Sequence, residues 1–298
     1  MLKSLSALVE IAKTKKKRRL VVAAAADEPV LNAVFQATKE GIIEPILVGE
    51  KSAIEIICHK IGFDISSIEI IDEPNAVKAS AKAVAIIKEG RAEILMKGLV
   101  ATGPLLKAVL NNENGLRKGA TLSHIALFES PFYHKLIAVT DAAMNVAPEF
   151  SEKVDIVNNA VEAYHKLGEK LPKVAILAAV EVINPKMVET VHASMLTTMN
   201  KRGQIKGCII DGPLALDNAI SYEAAEHKGI ISEVAGDTDI LVTPEIVSGN
   251  ILYKSLNFLG GATAAAVIMG AKVPIVLTSR ADSEQSKMMS IALAAAME

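Results

Sequence analysis

Short runs of aliphatic residues, each closed by turn-forming residues, alternate with longer stretches of helical spacing along the 298-residue chain. That alternation is the strongest constraint on what the chain can fold into. The apolar runs fall at 20–25, 45–48, 68–71, 94–97, 124–128, 136–139, 174–178, 208–210, 240–242 and 274–277. The helical stretches fall at 29–40, 53–61, 76–89, 103–110, 152–167, 185–201, 221–227, 245–259 and 283–297. Strand and helix in regular succession predict an α/β protein with mainly parallel sheets. Composition agrees, because hydrophobic residues make up 51% of the chain while aromatic ones make up 3% and tryptophan is absent. Ala, Ile, Leu and Val must then fill the core, as buried parallel strands and Ala-rich helices require. The length suits two domains of ~150 residues. The loop-like stretch 111–119 (NNENGLRKG) sets the first boundary near residue 120. Periodicity leaves open which domain takes the last strand and helix.

Several function classes fall away. The longest uncharged apolar stretch, 258–271, contains two adjacent glycines and stops at Lys272. It is short of the ~20 residues that span a bilayer. The basic cluster Lys13, Lys15, Lys16, Lys17, Arg18 and Arg19 imitates the start of a signal sequence, but the apolar run 20–26 ends at Asp27. A buried strand is therefore expected there, and no membrane association. The same cluster reads as a solvated helix end and turn, and the scarcity of aromatic residues argues against nucleic acid. Cys58 and Cys208 have no CxxC or Cys/His neighbourhood, so a reducing, cytoplasmic compartment fits and a disulfide scaffold does not. Placed in a helix and a strand, both read as core thiols rather than nucleophiles. The histidines show no HxxxH or HExxH spacing, so no metal site is expected. Neither a GxSxG elbow, a P-loop nor a GxGxxG fingerprint is present.

In open parallel sheets, ligands bind beyond the carboxyl ends of the strands. Those positions hold Asp27, the loop 98–104 (GLVATGP), Thr140 with Asp141 and Asn145, the turn Asp211-Gly212-Pro213, Thr243-Pro244 and the turn 278–283 (TSRADS). One such turn alone is ordinary punctuation or a helix cap. Several together point to a site. Of the six arginines, only Arg280 directly follows a buried strand, between Ser279 and Asp282 at the start of a helix. Its guanidinium suits a bidentate phosphate or carboxylate, or else an internal pair with Asp282. Lys97 opens a glycine-bearing loop that leads into a helix containing Lys107. An anion held by Thr102, Lys107 and helix N–H groups is one reading, and a solvated helix lysine the other.

Six segments occur in a fixed order: 95–110 (LMKGLVATGPLLKAVL), 122–131 (LSHIALFESP), 139–145 (VTDAAMN), 211–221 (DGPLALDNAIS), 240–256 (ILVTPEIVSGNILYKSL) and 276–283 (VLTSRADS). Over nearly the whole chain this ordered set resembles the phosphate acetyl/butyryltransferase family, most of all its butyryltransferase branch. The resemblance implies a two-domain α/β fold of the isocitrate/isopropylmalate dehydrogenase type with the active site in the cleft between domains. It implies a first domain of 1–120 plus 271–298 and a second of 121–270. It also implies homo-oligomers and a reversible, metal-free reaction of acyl-CoA with phosphate to give acyl phosphate and CoA, with no tightly bound cofactor. Phosphate acetyltransferase activity and a non-catalytic acyl-CoA or phosphate-binding role are the alternatives. The metal- and NAD-dependent dehydrogenases sharing that fold need clustered aspartates and a nucleotide loop, and the sequence has neither.

On this resemblance Arg280 is the phosphate-binding arginine, and Ser279 the serine that orients or stabilises the CoA thiolate. Lys107 stands where relatives carry a phosphate-contacting arginine, which trades a planar fork for a point charge. Relatives place a catalytic aspartate seven residues after the serine, and here that position is Ser286. Asp282 or Glu284 then takes over as the base, or deprotonation is handled elsewhere in this branch, with Asp282 preferred. Lys97, Thr102, Ser123, Asp141 and Asn145 are expected to bind substrate, and Asp211 either joins them or caps its own turn.

Overall fold

The structure, a computed structural model, describes residues 3–119, 121–279 and 282–297. Its strands are β1 (Arg18–Ala23), β2 (Ile43–Gly49), β3 (Glu69–Asp72), β4 (Ile94–Lys97), β5 (Ser123–Glu129), β6 (Ile137–Thr140), β7 (Lys173–Leu177), β8 (Ile209–Leu214), β9 (Ile240–Val242), β10 (Thr263–Met269) and β11 (Ile275–Val276). The helices are α1 (Ser6–Thr14), α2 (Glu28–Lys39), α3 (Lys51–Ile61), α4 (Ala76–Lys88), α5 (Thr102–Val109), α6 (Phe150–Lys166), α7 (Val188–Lys201), α8 (Leu216–Ile220), α9 (Tyr222–His227), α10 (Ile246–Lys254) and α11 (Glu284–Met297). The fold is α/β and the strand pairs are mostly parallel. The chain divides into two units, Ser6–Ala120 with Ala265–Glu298, and Met1–Leu5 with Thr121–Ala264. The crossing point lies inside β10 rather than at 271.

In the first unit the strand order is β3-β2-β1-β4-β11-β10, all parallel except β10, which runs antiparallel to β11. The four residues Leu20–Ala23 of β1 are fully buried, as a strand covered on both faces demands. Asn75 opens α4 by accepting from the amides of Val77 and Lys78, the usual use of asparagine at a helix start. The order reverses direction between β1 and β4, and such a switch point opens a crevice at the carboxyl ends of its strands. Helix α11 packs against α1 and α2 and is buried on nearly every face. Its Ala292, Ala294, Ala295 and Ala296 permit that approach, which accounts for part of the alanine richness. Ser290 of α11 accepts the Ala266 amide of β10 at 2.9 Å.

The second unit orders its strands β5-β6-β9-β7-β8, with only the β5–β6 pair antiparallel. Because β5 runs against β6, the start of one and the end of the other share an edge, Ile125 facing Thr140. At the opposite ends of the strands, Lys135 is held between Asp237 (3.0 Å) and Asp239 (2.6 Å), and Lys173 pairs with Asp237 at 2.7 Å.

Several elements depart from expectation. β10 replaces part of the apolar stretch 258–271, and the helix expected over 245–259 is α10 followed by a π-helical turn, Ser255–Leu259. Cys208 lies just before β8 rather than in a strand, and burial pushes its thiol and that of Cys58 up to about 11. Neither thiol is a nucleophile at neutral pH. Among the described residues, no helix is long and apolar enough to cross a membrane.

Candidate active site

The site residues of the first unit gather on the loops after β1, β4 and β11, which are neighbours in the sheet. Ala23 pairs with Lys97, and Met96 with Val276, so the three loops leave the sheet at one level. The loop after β4 is fastened to the turn after β1: the Gly98 amide donates to Ala23 O at 2.8 Å, and the Leu99 amide to Ala24 O at 2.7 Å. A Cβ on Gly98 would stand 2.2 Å from Ala24 O, so only glycine permits this approach. Ala24 itself adopts φ 57°, a left-handed conformation that costs a non-glycine residue about 1 kcal/mol. Lys97, 8% exposed, turns its ammonium back to the carbonyls of Gly98 and Val100, each at 3.3 Å.

Helix α5 begins at Thr102 and has no side-chain cap. Thr102 and Lys107 are both exposed, but residues five apart are separated by about 140° around a helix. The helix therefore does not put them on one face; Gly103 is the residue that shares a face with Lys107.

In the turn after β11, the described residues Ser279 and Asp282 are bonded to each other. The Ser279 amide donates to Asp282 Oδ2 at 2.7 Å, and the Asp282 amide donates to Ser279 O at 3.2 Å. Ser279 is exposed and Asp282 is 9% exposed. Arg280, between them, lies outside the described residues. The two candidate carboxylates are thus separated in role. Asp282 is bonded to Ser279, whereas Glu284 accepts from Asn32 of α2 at 3.0 Å. Ser286, at the position of the relatives' aspartate, is buried and bonded to Ser283 Oγ through both its amide and its hydroxyl.

The second unit holds its own polar cluster on the shared edge of β5, β6 and β9. Asp141, 3% exposed, is joined to Thr140 by a cis peptide bond. Its Oδ1 accepts from the amides of Ala143 and Met144, and its Oδ2 from the amide and the Nδ2 of Asn145. Asn145 Nδ2 also donates to Leu122 O at 2.8 Å, closing the loop onto the start of β5. Ser123 is buried and accepts from Asn159 of α6 at 2.9 Å. Thr243 donates from its amide to Thr140 O (2.8 Å) and from its hydroxyl to Asp141 O (3.1 Å). Ser123, Asp141 and Asn145 are therefore brought together. Asp211 is not with them. The strand expected to end at residue 210 continues through it to Leu214, with a register shift opposite 175–177. Three strand spacings separate β8 from β6, about 14 Å. Asp211 Oδ1 accepts its neighbour's amide, from Gly212 at 2.9 Å.

Sequence reading missed Asn159 and Lys287, polar groups on helix faces that periodicity assigns to the core. It quoted Gly249 and Asn250 without a role. Asn250 donates to Ala142 O at 3.2 Å, and a Cβ on Gly249 would lie 2.4 Å from Asp141 O and 2.7 Å from Thr243 Oγ1. Glycine thus seats α10 against the Asp141 loop. Gly249→Ala must push the two apart and is expected to lose about 1–3 kcal/mol, read as a lower thermal midpoint. An unchanged midpoint would contradict the close approach. Glu245 caps the same helix. Burial works against its ionisation, but hydrogen bonds from the Ser248 and Val247 amides hold its carboxyl below the usual range. Among the described residues, no cluster of three or more His, Cys, Asp or Glu side chains could hold a metal ion.

Over residues 4–80 and 73–295 the chain matches the family described as phosphate acetyl/butaryl transferase. It is 51% identical to a phosphate butyryltransferase of Clostridium acetobutylicum over 99% of this chain and 98% of that one. It is 46% identical to a phosphate acetyltransferase of Thermotoga maritima over 98% of each. Among solved structures, a branched-chain phosphotransacylase from Enterococcus faecalis V583 is similar with a TM-score of 0.83 and 36% identity, over 94% of this chain and 98% of that one.

Proposed function

The chain belongs to the phosphate acetyl/butaryl transferase family, and on that premise we propose that it moves a butyryl-type short-chain acyl group between CoA and inorganic phosphate. It is an acyltransferase, and its products in that direction are acyl phosphate and free CoA. The observation that carries the residue assignment is the Ser279–Asp282 segment, closed by two hydrogen bonds at the carboxyl end of β11 beside the Lys97 loop.

In this reading Arg280 holds phosphate as a planar fork and Ser279 offers its exposed hydroxyl to the CoA sulfur. From acyl phosphate, Asp282 takes the thiol proton, the thiolate attacks the acyl carbonyl, and the C–O bond to phosphate breaks. Charge developing on the carbonyl oxygen needs hydrogen-bond donors placed in advance, and the first turn of α5, which has no side-chain cap, offers backbone amides at the switch point. Lys97 fixes the loop after β4 from within. Lys107, exposed and away from Thr102's face, supplies a positive charge near the loop rather than a shared cradle. Asp141 and Asn145 bond each other and their own loop, so they shape the second unit's edge, and Ser123 is set there by Asn159. No resident cofactor is required.

CoA thioesters and acyl phosphates are intracellular, so the cytoplasm is the proposed compartment. Val247, Ile251, Phe258 and Leu259 are exposed on α10 and the π-helical turn, and this apolar surface supports a homo-oligomer, measurable as particle mass by light scattering. The reaction is tested by release of free thiol from acetyl-, butyryl- and isobutyryl-CoA with phosphate present. Release is expected to be fastest with a four-carbon thioester. A clear preference for acetyl-CoA would make the chain a phosphate acetyltransferase, and no release at high enzyme concentration would leave only the binding-protein alternative.

A further inference from the structure

Lys287 lies one turn inside α11 and is 3% exposed. A lysine there is unfavourable on two counts, because its ammonium is withdrawn from water and stands near the positive end of a helix. What it meets there is specific. Nζ donates to Asp282 O at 2.5 Å and to Ser279 O at 3.3 Å. Those are the residues on either side of Arg280 and Ala281 in the chain, and they are already bonded to each other through the Ser279 amide and the Asp282 carboxylate. One buried cation therefore gathers two carbonyls of the segment that the proposed reaction uses for phosphate. Ser286 and Ser283, bonded to each other, close the adjoining start of the helix.

We propose that Lys287 is a positioning residue for phosphate: its ammonium fixes the carbonyls of Ser279 and Asp282, the described residues that flank Arg280 and Ala281 in the chain. It also places a basic side chain against the proposed phosphate segment. A charge-assisted bond to a carbonyl is strong when made in a dry site, and removing it frees a segment whose geometry must be set before phosphate arrives. The proposal rests on the reading of this segment as the phosphate site.

The test compares Lys287→Met, Lys287→Gln and Lys287→Arg with the unaltered enzyme in phosphate-dependent thiol release from butyryl-CoA. The KM for phosphate and the KM for butyryl-CoA are measured separately, together with the rise in melting temperature that phosphate induces. In Lys287→Met the phosphate KM is expected to increase about tenfold or more. The butyryl-CoA KM should stay within about twofold, and the phosphate-induced rise in melting temperature should be lost. Lys287→Arg should recover most of both. A variant with unchanged phosphate KM overturns the proposal, as does one in which both KM values rise together in step with lost stability. If Lys287→Met does not fold, Lys287→Gln is read against the same criteria. An unaltered enzyme that releases no thiol overturns the acyltransferase reading instead, so the two failures are distinct.

Discussion

Replacing Arg280 with alanine is expected to raise the phosphate concentration needed for half-maximal turnover by about a hundredfold. A bidentate guanidinium–phosphate contact contains two charge-assisted hydrogen bonds, each worth roughly 1.5–3 kcal/mol. Losing about 2.7 kcal/mol of phosphate binding, just under the lower end of what two such bonds are worth, corresponds to that factor. Ser279 and Asp282 are tied to each other on either side of Arg280 in the chain, and the Lys97 loop leaves the sheet at the same level. Lys cannot substitute fully, because a point charge does not reproduce the fork. Arg280→Lys should therefore fall between the native enzyme and Arg280→Ala. Initial rates across a phosphate series check the expectation, and an unchanged phosphate KM in Arg280→Ala would remove Arg280 from the site.

The largest expected effect on stability comes from the opposite end of the second unit. The Lys135 side chain is 1% exposed and bridges Asp237 and Asp239, while Asp237 also pairs with Lys173 and His134. Lys135→Ala leaves two partly buried carboxylates short of their central cation, at an expected loss of about 3 kcal/mol. For a protein of this size that is a fall of roughly 6–12 °C in melting temperature. Burial alone would raise the Asp237 carboxyl, but bonds from Lys173, Lys135 and His134 outweigh it and hold the carboxyl well below the usual range. A depressed carboxyl stabilises the fold fully above the ordinary aspartate range, and that contribution disappears as pH falls through the folded-state value. Lys135→Ala should thus unfold at a higher pH than the native protein on acid titration. Equal acid midpoints would show that Lys135 does not set the Asp237 carboxyl.

Most of the parallel strands are legible because a short aliphatic run forms their core. Leu20–Ala23 and Ile94–Met96 are wholly buried, and no polar residue interrupts them. β10 is not, because Ala264, Ala265 and Ala266 have weak strand preference and the segment is bounded by glycines that read as coil. Its identity as a strand comes from β11, which turns back against it with Ile268 facing Ile275. Asp211-Gly212-Pro213 reads as a turn by every local rule, yet pairing with β7 carries the strand through it. The carboxyl-end rule singles out the loops after β4, β6 and β11 from the sequence alone. It cannot find Asn159 or Lys287, since a polar residue on a buried helix face announces nothing about which carbonyl or hydroxyl it will meet. Thr102 and Lys107 lie five residues apart, an interval that does not set two side chains on one helix face, and that spacing could be read without a structure.

Phosphorus NMR of the enzyme with butyryl-CoA and inorganic phosphate tests the acyltransferase claim most directly. An acyl phosphate signal should grow one for one with free thiol, at the expense of inorganic phosphate, and should reverse when CoA is added in excess. Thiol released at the same rate without phosphate, with butyrate as the sole product, would contradict the account.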